Sequence, residues 1–171
     1  MTRSEIQFAE PHPFYKRYID LLGDVELLDI LQNQLSNFPE FIESIPDDKW
    51  TYAYAPGKWS IAEVLLHIID SERVFQYRAL RFSRNDVTAL PGFDQDAYVG
   101  PSKAERRSKE SILEEYRAVR KSTLSLFANF DRDDLERKGT ASSLSWSVGS
   151  LGFVICGHQK HHRNIIRERY L

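Results

Sequence analysis

Residues 146–166 read WSVGSLGFVICGHQKHHRNII, and within them Val148, Leu151, Val154, Ile155, Ile165 and Ile166 recur at the spacing of one face of an α-helix. Trp146 opens the pattern. On a wheel of about 100° per residue with Leu151 at zero, Ile155 falls at about 40° and Ile165 at about −40°. His158 then falls at about −20° and His162 at about 20°, in the middle of the apolar stripe, while His161 falls at about −80°, at its edge. Two imidazoles on a core face cost free energy unless their nitrogens find partners. A metal ion shared by the pair would satisfy them, and so would ordinary core hydrogen bonds. If a second helix brings His67 against the same face, three imidazoles meet with a coordination position left open. That is the catalytic kind of metal site rather than the closed structural kind.

Three further amphipathic segments precede this one. After Gly23, Leu28, Leu31, Leu35, Phe38, Phe41, Ile42 and Ile45 recur at spacings of three and four and predict a first long helix. Pro39 predicts a kink or short break in it and Pro46 a stop, and a brief helix over residues 14–21 is expected before it. The second long helix opens at the S-x-x-E capping box of Ser60 and Glu63, just after Pro56 and Gly57, and runs to about Arg84. Ile61, Val64, Leu65, Ile68, Phe75, Ala79 and Phe82 form its stripe. Residues 85–107 contain Pro91, Gly92, Gly100 and Pro101 with no sustained period and read as a long connection, a place where functional lids often lie. The third long helix begins at Ser108 or Ser111, with Ile112, Tyr116, Val119, Thr123, Leu126, Phe127 and Phe130 on its face. Residues 131–145, with Gly139 and several serines, read as a polar connection. No strand pattern is convincing. The expected architecture is all-α: one domain over residues 1–171, a four-helix bundle with a short N-terminal helix and long connections.

The formal net charge of −2 supplies no field that would draw the chain onto DNA or an anionic membrane. Arg78, Arg81, Arg84, Arg106 and Arg107 stand among acidic residues, so no nucleic-acid partner is expected. Cys156 is the sole cysteine, and its neighbours Phe153, Val154 and Ile155 predict a buried thiol rather than a reactive one. Residues 1–10 fit neither a signal peptide nor a membrane anchor, and no apolar run approaches the roughly 18 residues that span a bilayer. A cytoplasmic protein without a membrane partner is expected. Apolar residues on several sides of the second helix leave room for a homodimer.

His67 lies about 60° outside the stripe of its helix, beside Val64, Ser71 and Val74, on a second contact face or in solvent. His12, between Pro11 and Pro13, reads as exposed. Residues 57–72, GKWSIAEVLLHIIDSE, taken with residues 157–163, GHQKHHR, resemble the DinB/YfiT-like family of metal-binding four-helix bundles. Residues 90–99, LPGFDQDAYV, resemble the segment that such proteins carry between their second and third helices. The resemblance runs from the first long helix to the end and implies that His67, His158 and His162 are the metal ligands. It also implies a divalent transition metal, zinc or nickel, although imidazoles suit copper and iron too.

The same resemblance implies two chemistries. One is thiol-dependent S-transfer or isomerisation with a low-molecular-weight thiol such as bacillithiol or mycothiol; the other is metal-dependent hydrolysis. A bound ion of this charge can give a thiolate, or lower the pKa of a water, at neutral pH. A zinc-peptidase arrangement is excluded locally, since Gln159 stands where H-E-x-x-H places its general-base Glu. Any base must come from Asp70, Glu72, Asp94, Asp96 or His161, each of which is as readily a surface charge, a turn residue or a solvated ring. Glu63 is explained by the capping box. S-transfer to an electrophilic small molecule needs a protein base least and is the leading expectation. A hydrolase and a non-catalytic, stress-related binding module are the alternatives. Trp59, Trp146, Phe93 and Tyr98 are candidates for pocket walls, and Arg163 or Arg73 for holding an acidic cofactor arm.

Overall fold

The computed structural model describes residues 1–6 and 13–171. Four long helices, α2 (Leu27–Glu43), α3 (Ile61–Ser83), α5 (Lys109–Phe127) and α7 (Val148–Arg169), form the bundle, and the short α1 (Pro13–Asp20) lies on α7. Between the long helices lie α4 (Gln95–Ser102), α6 (Arg132–Glu136) and the antiparallel hairpin β1 (Lys138–Ala141) with β2 (Leu144–Ser147). Helix α2 packs on α5 and α7, and α3 packs on the same two.

Local chemistry sets the helix starts. Glu63 N–H donates to the Ser60 hydroxyl at 3.4 Å and the Ser60 N–H donates to the Glu63 carboxylate at 2.7 Å, so the capping box is closed. Ser108 rather than Ser111 caps α5, accepting from the Ser111 N–H at 3.2 Å. Ser147 caps α7 reciprocally with Ser150. Gly157 lets α1 approach α7 closely: a Cβ there would lie 2.3 Å from the carbonyl oxygen of Tyr18. That contact brings the Tyr18 ring over the middle of α7.

The expected four-helix bundle is present, with corrections in the connections. Helix α2 runs through Pro39 without a break. The connection over residues 85–107 contains α4, whose start is capped by Asp94; Gly100 and Pro101 lie inside that helix, and it buries none of its residues. With no apolar face, it leaves no period in the sequence. The connection over residues 131–145 contains α6 and the hairpin, and Trp146 belongs to β2 instead of the last helix. The hairpin turns on Ser142 and Ser143, both at positive φ, where Asn-Gly is the usual signal, and its strands are four residues long. Phe130 lies beyond the end of α5, packed edge-on against Phe127. His12 lies outside the described residues. Among the described residues, no helix is long and apolar enough to cross a membrane.

The core is divided along its length. One apolar cluster holds Phe38, Ile42, Leu65, Ile69, Tyr116 and Ile166, and another holds Leu31, Phe75, Phe82, Phe127, Leu151 and Ile155. Every long helix passes from one to the other through buried polar residues: Gln34 on α2, His67 and Glu72 on α3, Arg120 and Thr123 on α5, His158 and Gln159 on α7. The candidate site lies in this polar layer.

Candidate metal centre

His67 and His158 face each other with Nε2 atoms 3.0 Å apart, and the Nε2 atoms of His162 and His158 are also 3.0 Å apart. The available ligand atoms of the three residues all lie within 4.8 Å of one another. A ring nitrogen offers one hydrogen or one lone pair in the ring plane. A single Nε2 flanked by two others therefore cannot make two good hydrogen bonds. Three lone pairs directed at one cation would satisfy all three. Imidazoles bound to a tetrahedral ion at about 2.0–2.1 Å would have nitrogens about 3.3 Å apart, close to the 3.0 Å of the two pairs that share His158. The residues present fit a metal ion.

Electrostatics keeps the rings neutral and so able to donate lone pairs. Burial lowers the His67 pKa to about 4. Burial, and after it the proximity of the other histidines, lowers His158 well below its ordinary value, and His162 is lowered by the same causes together with Arg17. The Ser71 hydroxyl stands 3.5 Å from Nδ1 of His67, placed to orient that ring.

The surroundings differ on the two sides. His162 opens on a cleft of about 330 Å³ whose walls include Trp59, Tyr54, Asp96, His161 and Arg169. His67 lines a narrow pocket with Asp70, Phe93 and Tyr98. The Trp59 ring lies 4.8 Å from that of His67, and Tyr18 meets His158 edge-on at 5.4 Å.

Of the candidate bases, Asp70 and Asp96 share pockets with the histidines, and burial raises the Asp70 pKa despite Arg73, 3.5 Å away. His161 also lines the cleft, and its ring packs against those of Tyr18 and His162. Asp94 is spent on capping α4. Glu72 is no surface charge: it is buried and holds Arg120 through both oxygens, at 2.8 and 2.9 Å, with Thr123 donating at 2.7 Å. Gln159 joins the same network, accepting from Arg120 at 2.7 Å and from Tyr116 at 2.9 Å. Trp146 packs in the core against Tyr15 and Phe75, whereas Trp59, Phe93 and Tyr98 do form walls. Arg73 pairs with Glu115, and Arg163 donates to Asn37 at 3.2 Å and lies over Phe41. Cys156 is fully buried, and burial pushes its thiol up to about 12. Sequence reasoning missed Tyr18, Phe75 and the buried pairing of Glu72 with Arg120. An arginine and a glutamate at core-facing positions of two helices were the available signal.

A helical bundle with three histidines converging from two of its helices defines the class. Residues 30–166 match the DinB superfamily, and the chain belongs to it. No curated protein sequence matches the chain. Among solved structures it is similar to YfiT from Bacillus subtilis, described as a probable metal-dependent hydrolase with an unusual four-helix bundle topology. The likeness has a TM-score of 0.72 at 14% identity, over 96% of this chain and 90% of that one, and it shows the fold.

Proposed function

We propose that the protein is a metal-dependent enzyme in which His67, His158 and His162 hold one divalent transition ion, zinc or nickel, and that it transfers a low-molecular-weight thiol to an electrophilic small molecule. The observation that carries this reading is the convergence of three neutral imidazoles whose Nε2 atoms cannot satisfy one another by hydrogen bonding. An ion of this kind supplies Lewis acidity, which favours the deprotonated form of a thiol or water at neutral pH. The chain's own groups do the rest. Ser71 and Trp59 fix the His67 ring, Tyr18 closes the far side of His158, and the cleft beside His162 admits a molecule of small size. Glu72 and Gln159, buried on the same two helices as the histidines, are occupied by Arg120, which supports a reaction that needs no strong protein base.

Metal-dependent hydrolysis is the second reading, favoured by Asp70. This half-buried carboxyl shares the His67 pocket, and its raised pKa suits a proton acceptor. The deciding experiment measures loss of a low-molecular-weight thiol with an electrophile such as monochlorobimane, beside ester and amide hydrolysis, on metal-loaded protein. Thiol conjugation that disappears in His158→Ala supports transfer. Hydrolysis that disappears in both His158→Ala and Asp70→Asn replaces it, and inactivity of the metal-loaded protein in both assays favours a binding role.

A further inference from the structure

Among the described residues two arginines are fully buried, and only one of them is neutralised. Arg120 donates to Glu72 from Nε and NH2, to Gln159 from the same NH2, and to Gln34 from NH1. Arg78, on α3, is 2% exposed, and no carboxylate among the described residues bonds to it. Its NH2 donates to the Pro91 carbonyl at 3.1 Å and to the Ser142 hydroxyl at 2.9 Å, while its NH1 is buried with no hydrogen-bond partner. The Phe75 and Phe93 rings lie 5.7 and 5.9 Å from its guanidinium carbon. The one titratable neighbour whose charge acts on it among the described residues is the Tyr15 phenol, which burial raises above its ordinary pKa, so at neutral pH it carries no counter-charge. A buried cation without an anion is among the costliest arrangements a core can hold. Here the two NH2 bonds fix the guanidinium in advance of any ligand.

We propose that Arg78 is an anion-binding residue whose free NH1 takes one oxygen of a carboxylate, and that this carboxylate belongs to the small molecule that reacts at the three histidines. The second half rests on the metal-centre reading above. Arg78 stands on the same side of α3 as His67, Ser71 and Phe75, and its two aromatic neighbours reach the histidines. The Phe75 ring lies 6.5 Å from that of His158, and Phe93 lines the His67 pocket. Eleven residues of helix separate the Cα atoms of His67 and Arg78 by about 16 Å. The molecule is therefore elongated, with its carboxylate at one end and its reacting group at the other. A carboxylate suits the site better than a phosphate, because a single negative charge neutralises the guanidinium, whereas a doubly charged phosphate would leave uncompensated charge beside the Phe75 and Phe93 rings.

The test is thermal melting of the full chain, metal-free, in rising succinate against sodium chloride at equal ionic strength, with inorganic phosphate in a parallel arm. Succinate should raise the wild-type melting temperature saturably. Its apparent affinity should fall at least about tenfold in Arg78→Met and by less in Arg78→Lys, which keeps the charge and loses the planar fork. A wild-type response no larger than that to chloride overturns the proposal whatever the variants do, and an equal response in Arg78→Met does so too. A stronger response to phosphate overturns the carboxylate assignment. Zinc uptake, measured on a parallel sample of the same preparation after zinc loading, separates the two halves: succinate binding by a wild-type chain that takes up no zinc supports the Arg78 subsite and overturns its link to the histidines.

Discussion

The polar layer of this bundle contains two buried clusters built from the same helices. Helix α3 contributes His67 to one and Glu72 to the other, and α7 contributes the adjacent residues His158 and Gln159. Around Arg120 the hydrogen-bond demands close: Glu72, Gln34, Gln159, Thr123 and Tyr116 pair with one another at 2.7–2.9 Å. Around His158 they do not, since two nitrogens compete for a third. Burial alone therefore does not mark a site. A closed network specifies the fold, whereas a cluster of donor atoms that cannot satisfy itself implies a partner from outside.

The largest expected effect comes from opening the closed cluster. In Glu72→Leu the Arg120 guanidinium is left buried without its carboxylate, and unfolding of the metal-free protein in urea should show a loss of about 3–5 kcal/mol. The double variant Glu72→Leu/Arg120→Met removes both charges and should recover most of it. A single variant as stable as wild type would mean that the pair is not buried as described. The histidine cluster should respond in the opposite sense, because removing one ring relieves a crowded, desolvated group. His158→Ala should leave the metal-free chain near wild-type stability and abolish binding of about one transition ion per chain. At a thousandfold excess over the dissociation constant, zinc or nickel should stabilise wild type by about 4 kcal/mol and the variant not at all. Equal metal content in His67→Ala, His158→Ala and His162→Ala would defeat the assignment.

The two clusters should also separate by pH. His67 titrates near 4 in the folded chain and about 6.5 when unfolded, so it is neutral in both states above pH 6.5. As pH falls from 6.5 toward 4, the unfolded chain takes up the proton first, and stability is lost across that window. His67 alone accounts for up to about 3 kcal/mol, with His158 and His162 acting in the same direction. Arg120 stays charged throughout. Urea midpoints of metal-free wild type at pH 7 and pH 5 should differ clearly, and those of a variant lacking all three imidazoles much less. An unchanged midpoint in wild type would show the rings to be solvated.

The sequence made the bundle legible because four apolar stripes of helical period are what its core requires. It made His158 and His162 legible because they interrupt one of those stripes at its centre. His67 lay off its stripe on the wheel, and only the resemblance to known bundles paired it with them; the structure shows why, since α3 is buried on more than one side, against both α5 and α7. Helix α4 and the serine-turned hairpin left no apolar period to read. Glu72 stands within its helix's apolar stripe, a signal that a buried partner faces it, but the role of Arg78 could not be read, because a charged residue on a helix looks alike in sequence whether it faces water, a counter-ion or nothing. That distinction depends on what the other helices bring opposite it.

The smallest expected effect is the one that tests how closed the closed cluster is. The single Tyr116 hydroxyl proton is shared between the Gln34 carbonyl and Gln159 Oε1, each 2.9 Å away, from a ring buried against Phe38. Tyr116→Phe keeps the ring and deletes both bonds. Gln159 Oε1 nevertheless retains the Arg120 NH2 donor at 2.7 Å, so no charged group is stranded. The loss should be only about 1 kcal/mol, a net hydrogen bond rather than an exposed buried charge, with metal stoichiometry unchanged. A cost as large as that of Glu72→Leu would mean that the network behaves as a single unit. Loss of metal binding would mean that the two clusters are coupled through the adjacent His158 and Gln159, and the contrast between them would then describe one site instead of two.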